Sequence, residues 1–100
     1  MKYKLSPWAA DEVDKAAAYY DGQRQGLGDD FLSEYAKTVK RIVDSPDACA
    51  FISKPARLCA FERFKYGIVY FVRDDLIHIV AVMHLHRRPG YWKSRLKKMD

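Results

Sequence analysis

Arg63, His84, His86, Arg87, Arg88 and Tyr91 are side chains of the types that could cleave RNA through the substrate's own 2′-hydroxyl. That reaction needs a base for the hydroxyl, an acid for the leaving oxygen and cations around the phosphate. Arg63 could join the others only if the end of its strand lies beside the end of the last strand. Otherwise Arg63 is a strand residue with its charge in water, and His84 and His86 are half-buried sheet residues. Nothing in the spacing demands convergence, so no catalytic set is assigned; as a nuclease, the chain would rely on Arg63, His84 and Tyr91. His84 and His86 stand two apart on a strand and so share a side, as a chelating pair would. No Cys or carboxylate accompanies them, and neither a metal nor another cofactor is expected. Cys49 and Cys59 are the only thiols. They are expected as small buried hydrophobes and not as a disulfide.

A second group carries charge. Residues 1–50 hold seven Lys/Arg against nine Asp/Glu, a balance of −2, whereas residues 51–100 hold eleven against four, a balance of +7. From Leu76 to Met99 there is no acid at all. Such a basic stretch attracts nucleic acid or an acidic protein segment. Within it Arg87, Arg88, Tyr91, Lys93 and Arg95 combine cations with an aromatic anchor, and these are the expected target-binding residues. Trp92 is equally suited to pinning the tail onto the domain.

The elements that position these groups follow from pattern. One hundred residues make one domain, residues 1–100, of ordinary globular composition. No apolar run is long enough to span a membrane, and the basic N-terminus lacks the apolar region of a secretory signal, so a cytoplasmic location is expected. Lys2 to Leu5 can form a first strand. Ser6-Pro7 supplies an N-cap and a proline at the first helical position. Trp8, Val13, Ala16, Ala17 and Tyr20 then recur at helical spacing, with Asp11 and Glu12 expected to favour the positive end of the helix dipole. That helix should end between Gly22 and Gly26. A second runs from about Leu27 to Asp44, with Asp29 and Asp30 in its first turn, and Ser45-Pro46 stops it. Residues 46–55 read as irregular, with prolines at both ends. Strands follow at about 57–64, 66–73 and 76–85.

A two-residue turn at Asp74-Asp75 would pair Arg73 with Leu76, Val72 with Ile77, Phe71 with His78, Tyr70 with Ile79 and Ile68 with Ala81. One face then carries Ile68, Tyr70, Val72, Ile77, Ile79, Ala81, Met83 and Leu85, a core to lie under the helices. The other carries Val69, Phe71, Val80 and Val82 beside Arg73, His78, His84 and His86. A face half apolar and half ionisable is not a solvent face. Either the C-terminal segment or a partner must cover it.

This order of elements resembles the RelE/ParE superfamily of small toxins over nearly the whole chain. Arg63-Phe64-Lys65-Tyr66-Gly67-Ile68-Val69-Tyr70 is similar to the superfamily's RFPYxIxY strand, with Lys65 in place of proline. His84-Leu85-His86-Arg87-Arg88-Pro89-Gly90-Tyr91-Trp92 is similar to its HxxRxPxYW ending, and residues 26–32 resemble the start of its second helix. The resemblance implies an α+β fold: an N-terminal strand, an antiparallel helix hairpin packed on a mainly antiparallel sheet of about four strands, and a basic C-terminal tail. The long basic ending resembles the ParE branch, which implies the toxin of a type II toxin–antitoxin pair, not an enzyme, that inhibits DNA gyrase by binding. It implies too a cognate acidic antitoxin, ParD-like and of ribbon-helix-helix type. That antitoxin is expected to dock on Val69, Phe71, Val80 and Val82 as an amphipathic segment disordered when alone. The RelE branch implies the alternative, a ribosome-dependent mRNA endonuclease. A non-toxic binding module on the same fold is the third reading.

Overall fold

A computed structural model describes residues 1–99. Asp100, the last residue of the expected domain, lies outside the described residues. Strand β1 (Lys2–Leu5) leads into helices α1 (Pro7–Gln23) and α2 (Leu27–Asp44). Four strands follow, β2 (Phe51–Ser53), β3 (Ala56–Ala60), β4 (Tyr66–Arg73) and β5 (Leu76–His84), and then a single helical turn, α3 (Lys93–Leu96). The sheet order is β1-β5-β4-β3-β2, with β1 parallel to β5 and every other pair antiparallel.

Both helices begin where their sequences say they should. The Ser6 hydroxyl accepts the Ala9 N–H at 3.0 Å and donates to the Val80 carbonyl at 3.1 Å, so one cap serves helix and sheet together. Asp11 and Glu12 lie beyond the first turn, which contains no acid, so their expected work on the dipole falls away. Asp29 and Asp30 do occupy the first turn of α2. Gly26 makes the turn between the helices at φ 91°, and Asp21 accepts its N–H and that of Gly28. At Gly28 the helices approach so closely that a Cβ would stand 2.6 Å from the Ala17 carbonyl oxygen.

The sheet has five strands where about four were expected. Phe51–Ser53 is the fifth, a three-residue edge strand inside the segment read as irregular. Too short to show alternation between its flanking prolines, it is defined by pairing with β3 alone. Strand β3 ends earlier than its sequence suggests. Phe64 takes φ 69°, which breaks the ladder, and the Phe61 N–H closes the turn onto the Tyr66 carbonyl at 2.8 Å. Arg63 therefore lies in a turn and not in a strand.

Asp74 and Asp75 both adopt left-handed backbone, φ 54° and 60°, as a two-residue hairpin turn demands. The register follows the expected one from Arg73↔Leu76 to Tyr70↔Ile79, then shifts: Val69 pairs with Ala81 and Ile68 with Val82. Val80 is the extra residue of a β-bulge, and beyond it the two faces of β5 exchange. Val82 joins the helix-side core with Ile68, Tyr70, Ile77, Ile79, Phe31 and Ile42. Ala81 and Met83, expected under the helices, lie instead on the back with Val69, Phe71 and Val80. Residues 91–99 cover that back face, with Trp92 buried against it and Tyr91, Leu96 and Met99 around it.

Candidate functional site

Glu12 organises the C-terminal end of the sheet. Strand β1 stops pairing at Leu5↔Ile79, so backbone groups of β5 beyond the bulge have no strand beside them on that edge. A buried backbone group without a partner is costly, and side chains supply the partners here. The Val82 N–H donates to Glu12 Oε1 at 3.1 Å, and the Val80 carbonyl accepts from Arg95 Nη1 at 3.1 Å. Arg95 also grips Glu12 with two prongs, Nη1 to Oε1 at 2.9 Å and Nη2 to Oε2 at 3.1 Å. The Tyr91 hydroxyl donates to Glu12 Oε2 at 2.6 Å. Burial first, then the neighbouring carboxylate, pushes the Tyr91 hydroxyl pKa upward. One carboxylate thus fastens helix, sheet and tail.

Beside it a cleft of about 200 Å³ opens between α1 and the end of the sheet, lined by Glu12, Lys15, Ala16, Tyr19, Tyr66, Val82, Met83, His84 and Arg87. His84 packs edge-on against Tyr66, at 5.4 Å between ring centres, and its Nδ1 accepts the His86 N–H at 3.1 Å. Arg87 lies over the Tyr91 ring at 4.0 Å. Among the described residues, Arg63 is not one of those lining the cleft. Its guanidinium stands 3.9 Å from Asp30 on α2 and its N–H donates to the buried carboxylate of Glu34 at 2.7 Å. The structure thus brings His84 to Arg87 and Lys15, and ties Tyr91 to Glu12.

The expected target-binding residues divide into two groups. Tyr91 and Arg95 are built into the fold: the Arg95 side chain is only 14% exposed. Arg87, Arg88 and Lys93 are exposed. Arg87 and Lys93 flank a cavity of about 220 Å³ whose apolar lining includes Ile52, Leu58, Met83, Leu85 and Trp92. Ile52 and Leu85 are exposed there, at 42% and 36%. The residues expected to dock an antitoxin are differently placed. Val69, Phe71 and Val80 lie under the chain's own C-terminal segment, and Val82 is on the helix side of the sheet. All four are at most 1% exposed.

Sequence reasoning gave Glu12 only a role at the helix dipole, set Leu85 in the core under the helices, where it is instead exposed, and passed over Ile52. Glu12 sits four residues after Trp8 and four before Ala16, on the edge of the sheet-facing stripe, and that spacing was the available signal. Ile52 carried none, because its strand is too short to show a period.

The family model described as ParE toxin of type II toxin-antitoxin system, parDE, matches residues 3–89. The solved structure of the chromosomal ParDE TA system from P. aeruginosa shares the fold, with a TM-score of 0.71 and 18% sequence identity over 84% of this chain and 95% of that one. No curated protein matches the sequence.

Proposed function

The chain belongs to the family of ParE toxins of type II toxin–antitoxin systems, and from that premise we propose that it arrests growth by binding DNA gyrase and is neutralised by a cognate acidic antitoxin in the cytoplasm. The observation that carries the reading is the pair Arg87 and Lys93 on the rim of an apolar groove, with exposed Arg88 next to Arg87 in the chain, in a stretch that contains no acid. Cations around an apolar floor suit a protein surface, with the groove supplying affinity and the rim supplying steering. Gyrase is the target that the family resemblance implies. Neutralisation requires only that an acidic antitoxin segment deny this surface to the target. A segment reaching Val69, Phe71 and Val80 would first have to displace residues 91–99.

Inhibition by binding, without catalysis, is supported by how the cleft spends its groups. Glu12, its carboxylate, accepts from Arg95, Tyr91 and Val82, and the Tyr91 hydroxyl is committed to Glu12. A proton-transfer pair drawn from them would have to dismantle the contacts that hold the tail. His84 together with Arg87 and Lys15 favours the alternative of ribosome-dependent mRNA cleavage, since an imidazole beside two cations is suited to phosphate chemistry. Purified protein added to a gyrase supercoiling assay and to a ribosome-programmed mRNA cleavage assay separates the two. Loss of supercoiling with intact mRNA is the expected result; cleaved mRNA with normal supercoiling overturns it.

A further inference from the structure

Cys49, just before β2, and Cys59, in β3, line one cavity at the open end of the β2–β3 hairpin. Phe51 pairs with Arg57, and the Leu58 N–H donates to the Ala50 carbonyl at 3.0 Å. Carried two residues beyond the end of β2, the same register would set Cys49 opposite Cys59. With the Leu58-to-Ala50 bond as the hydrogen-bonded position, continued alternation would give the cysteines a non-hydrogen-bonded one. Cα atoms at such positions are about 4.5 Å apart, inside the roughly 4.4–6.8 Å that a disulfide spans. The side chains are close: after burial, Cys49 is the neighbour that raises both the Cys59 thiol and the Tyr70 hydroxyl, and the two cysteines line one cavity.

We infer that this pair is a reversible dithiol–disulfide site, in which hydrogen peroxide oxidises Cys49 and Cys59 resolves it, locking the edge hairpin of the sheet. Cys49 is the entry point, because it is half-buried while Cys59 is only 2% exposed, and both line a solvent-open cavity of about 270 Å³ with Arg41. The Cys49 thiolate attacks one peroxide oxygen; the O–O bond breaks, leaving a sulfenic acid and hydroxide, which takes up a proton as water. Cys59 then gives up its proton and its sulfur attacks that of Cys49. The S–S bond forms, the S–O bond breaks, and a second water departs. Two thiols are oxidised and one peroxide is reduced to two waters. Burial, followed by the hydrogen bond and charge of Cys49, pushes the Cys59 thiol up to about 12, while Arg41 opposes the rise.

Trypsin separates the cysteines, since Arg57 lies between them: Cys49 falls in residues 42–57 and Cys59 in residues 58–63. The full-length protein treated with hydrogen peroxide and digested without reductant should yield these peptides covalently joined. Closing the loop should raise Tm by roughly 10 °C. Dithiothreitol should reverse both effects, and Cys49→Ser should show neither. Oxidation that leaves the two peptides separate, or that joins Cys49 only to a second copy of the chain, overturns the inference. The peptide readout uses the native sequence, so it decides the matter even where Cys49→Ser folds poorly, and it stands apart from any toxicity result.

Discussion

Glu12 in α1 and Arg95 in α3 lie 83 residues apart in sequence and meet in a two-pronged ion pair, with both side chains almost withdrawn from water. The pair lies over the place where β5 bulges and its edge loses β1 as a neighbour. Removing one partner leaves the other's charge buried, which costs about 3–5 kcal/mol. Glu12→Ala should therefore lower unfolding free energy by an amount in that range, measured in urea. Replacing both partners, Glu12→Leu with Arg95→Met, should recover much of the loss. A single Glu12→Ala variant as stable as the parent would show that the ion pair does not hold the tail.

The tail is core. Trp92 is 2% exposed against Val69, Phe71 and Val80, so Trp92→Ala should cost about 3–5 kcal/mol. Truncation after Gly90 uncovers the whole back face of the sheet and should leave a chain without a cooperative melt. Phe71→Asp should unfold the protein as well, because it buries a charge at a position only 1% exposed. A cooperative melt from the truncated chain would place the stability elsewhere.

Alkaline pH should unfold the protein from within. Burial pushes the Tyr35 hydroxyl from 10.0 up to about 12 and the Cys59 thiol from 9.0 up to about 12, and Tyr91 is raised too. A group that holds its proton more tightly when folded adds stability that is present below the unfolded pKa and lost as pH climbs through the folded one. Stability should thus be level to about pH 9 and then fall toward pH 12, by up to about 1.4 kcal/mol per pH unit for each such group. Tyr35→Phe should reduce the slope. An identical slope in urea titrations of parent and variant would remove Tyr35 from this account.

How far the sequence could be read depended on whether a feature repeats. Both helices span several turns, so their apolar spacing and the Ser6 and Gly26 boundaries marked them. The Asp74-Asp75 turn fixed the hairpin's register at its start. The bulge at Val80 is one inserted residue without a pattern of its own, yet every side chain beyond it changed sides; that is why Val82 and Ala81 exchanged places. For the candidate site, the basic rim could be read from charge at Arg87 and Lys93. The burial of Arg95 and Tyr91 could not, because it depends on a carboxylate 83 and 79 residues away.

Surface charge should separate recognition from folding. Lys93→Glu reverses an exposed cation on the rim and Arg88→Glu an exposed cation next to rim residue Arg87, so each should change stability by no more than about 0.5 kcal/mol. Steering by such charges acts on association rate and is screened by salt. Each variant should therefore bind an acidic antitoxin roughly tenfold more slowly at low salt, with the difference shrinking as salt rises, and should inhibit supercoiling less. Arg63→Ala and His84→Ala, which remove the groups a nuclease would need, should arrest growth as well as the parent does. Stopped-flow association across a salt series and growth assays on the four variants check both halves. Harmless but folded His84→Ala, with Arg88→Glu fully toxic, would move the activity from the rim to the cleft.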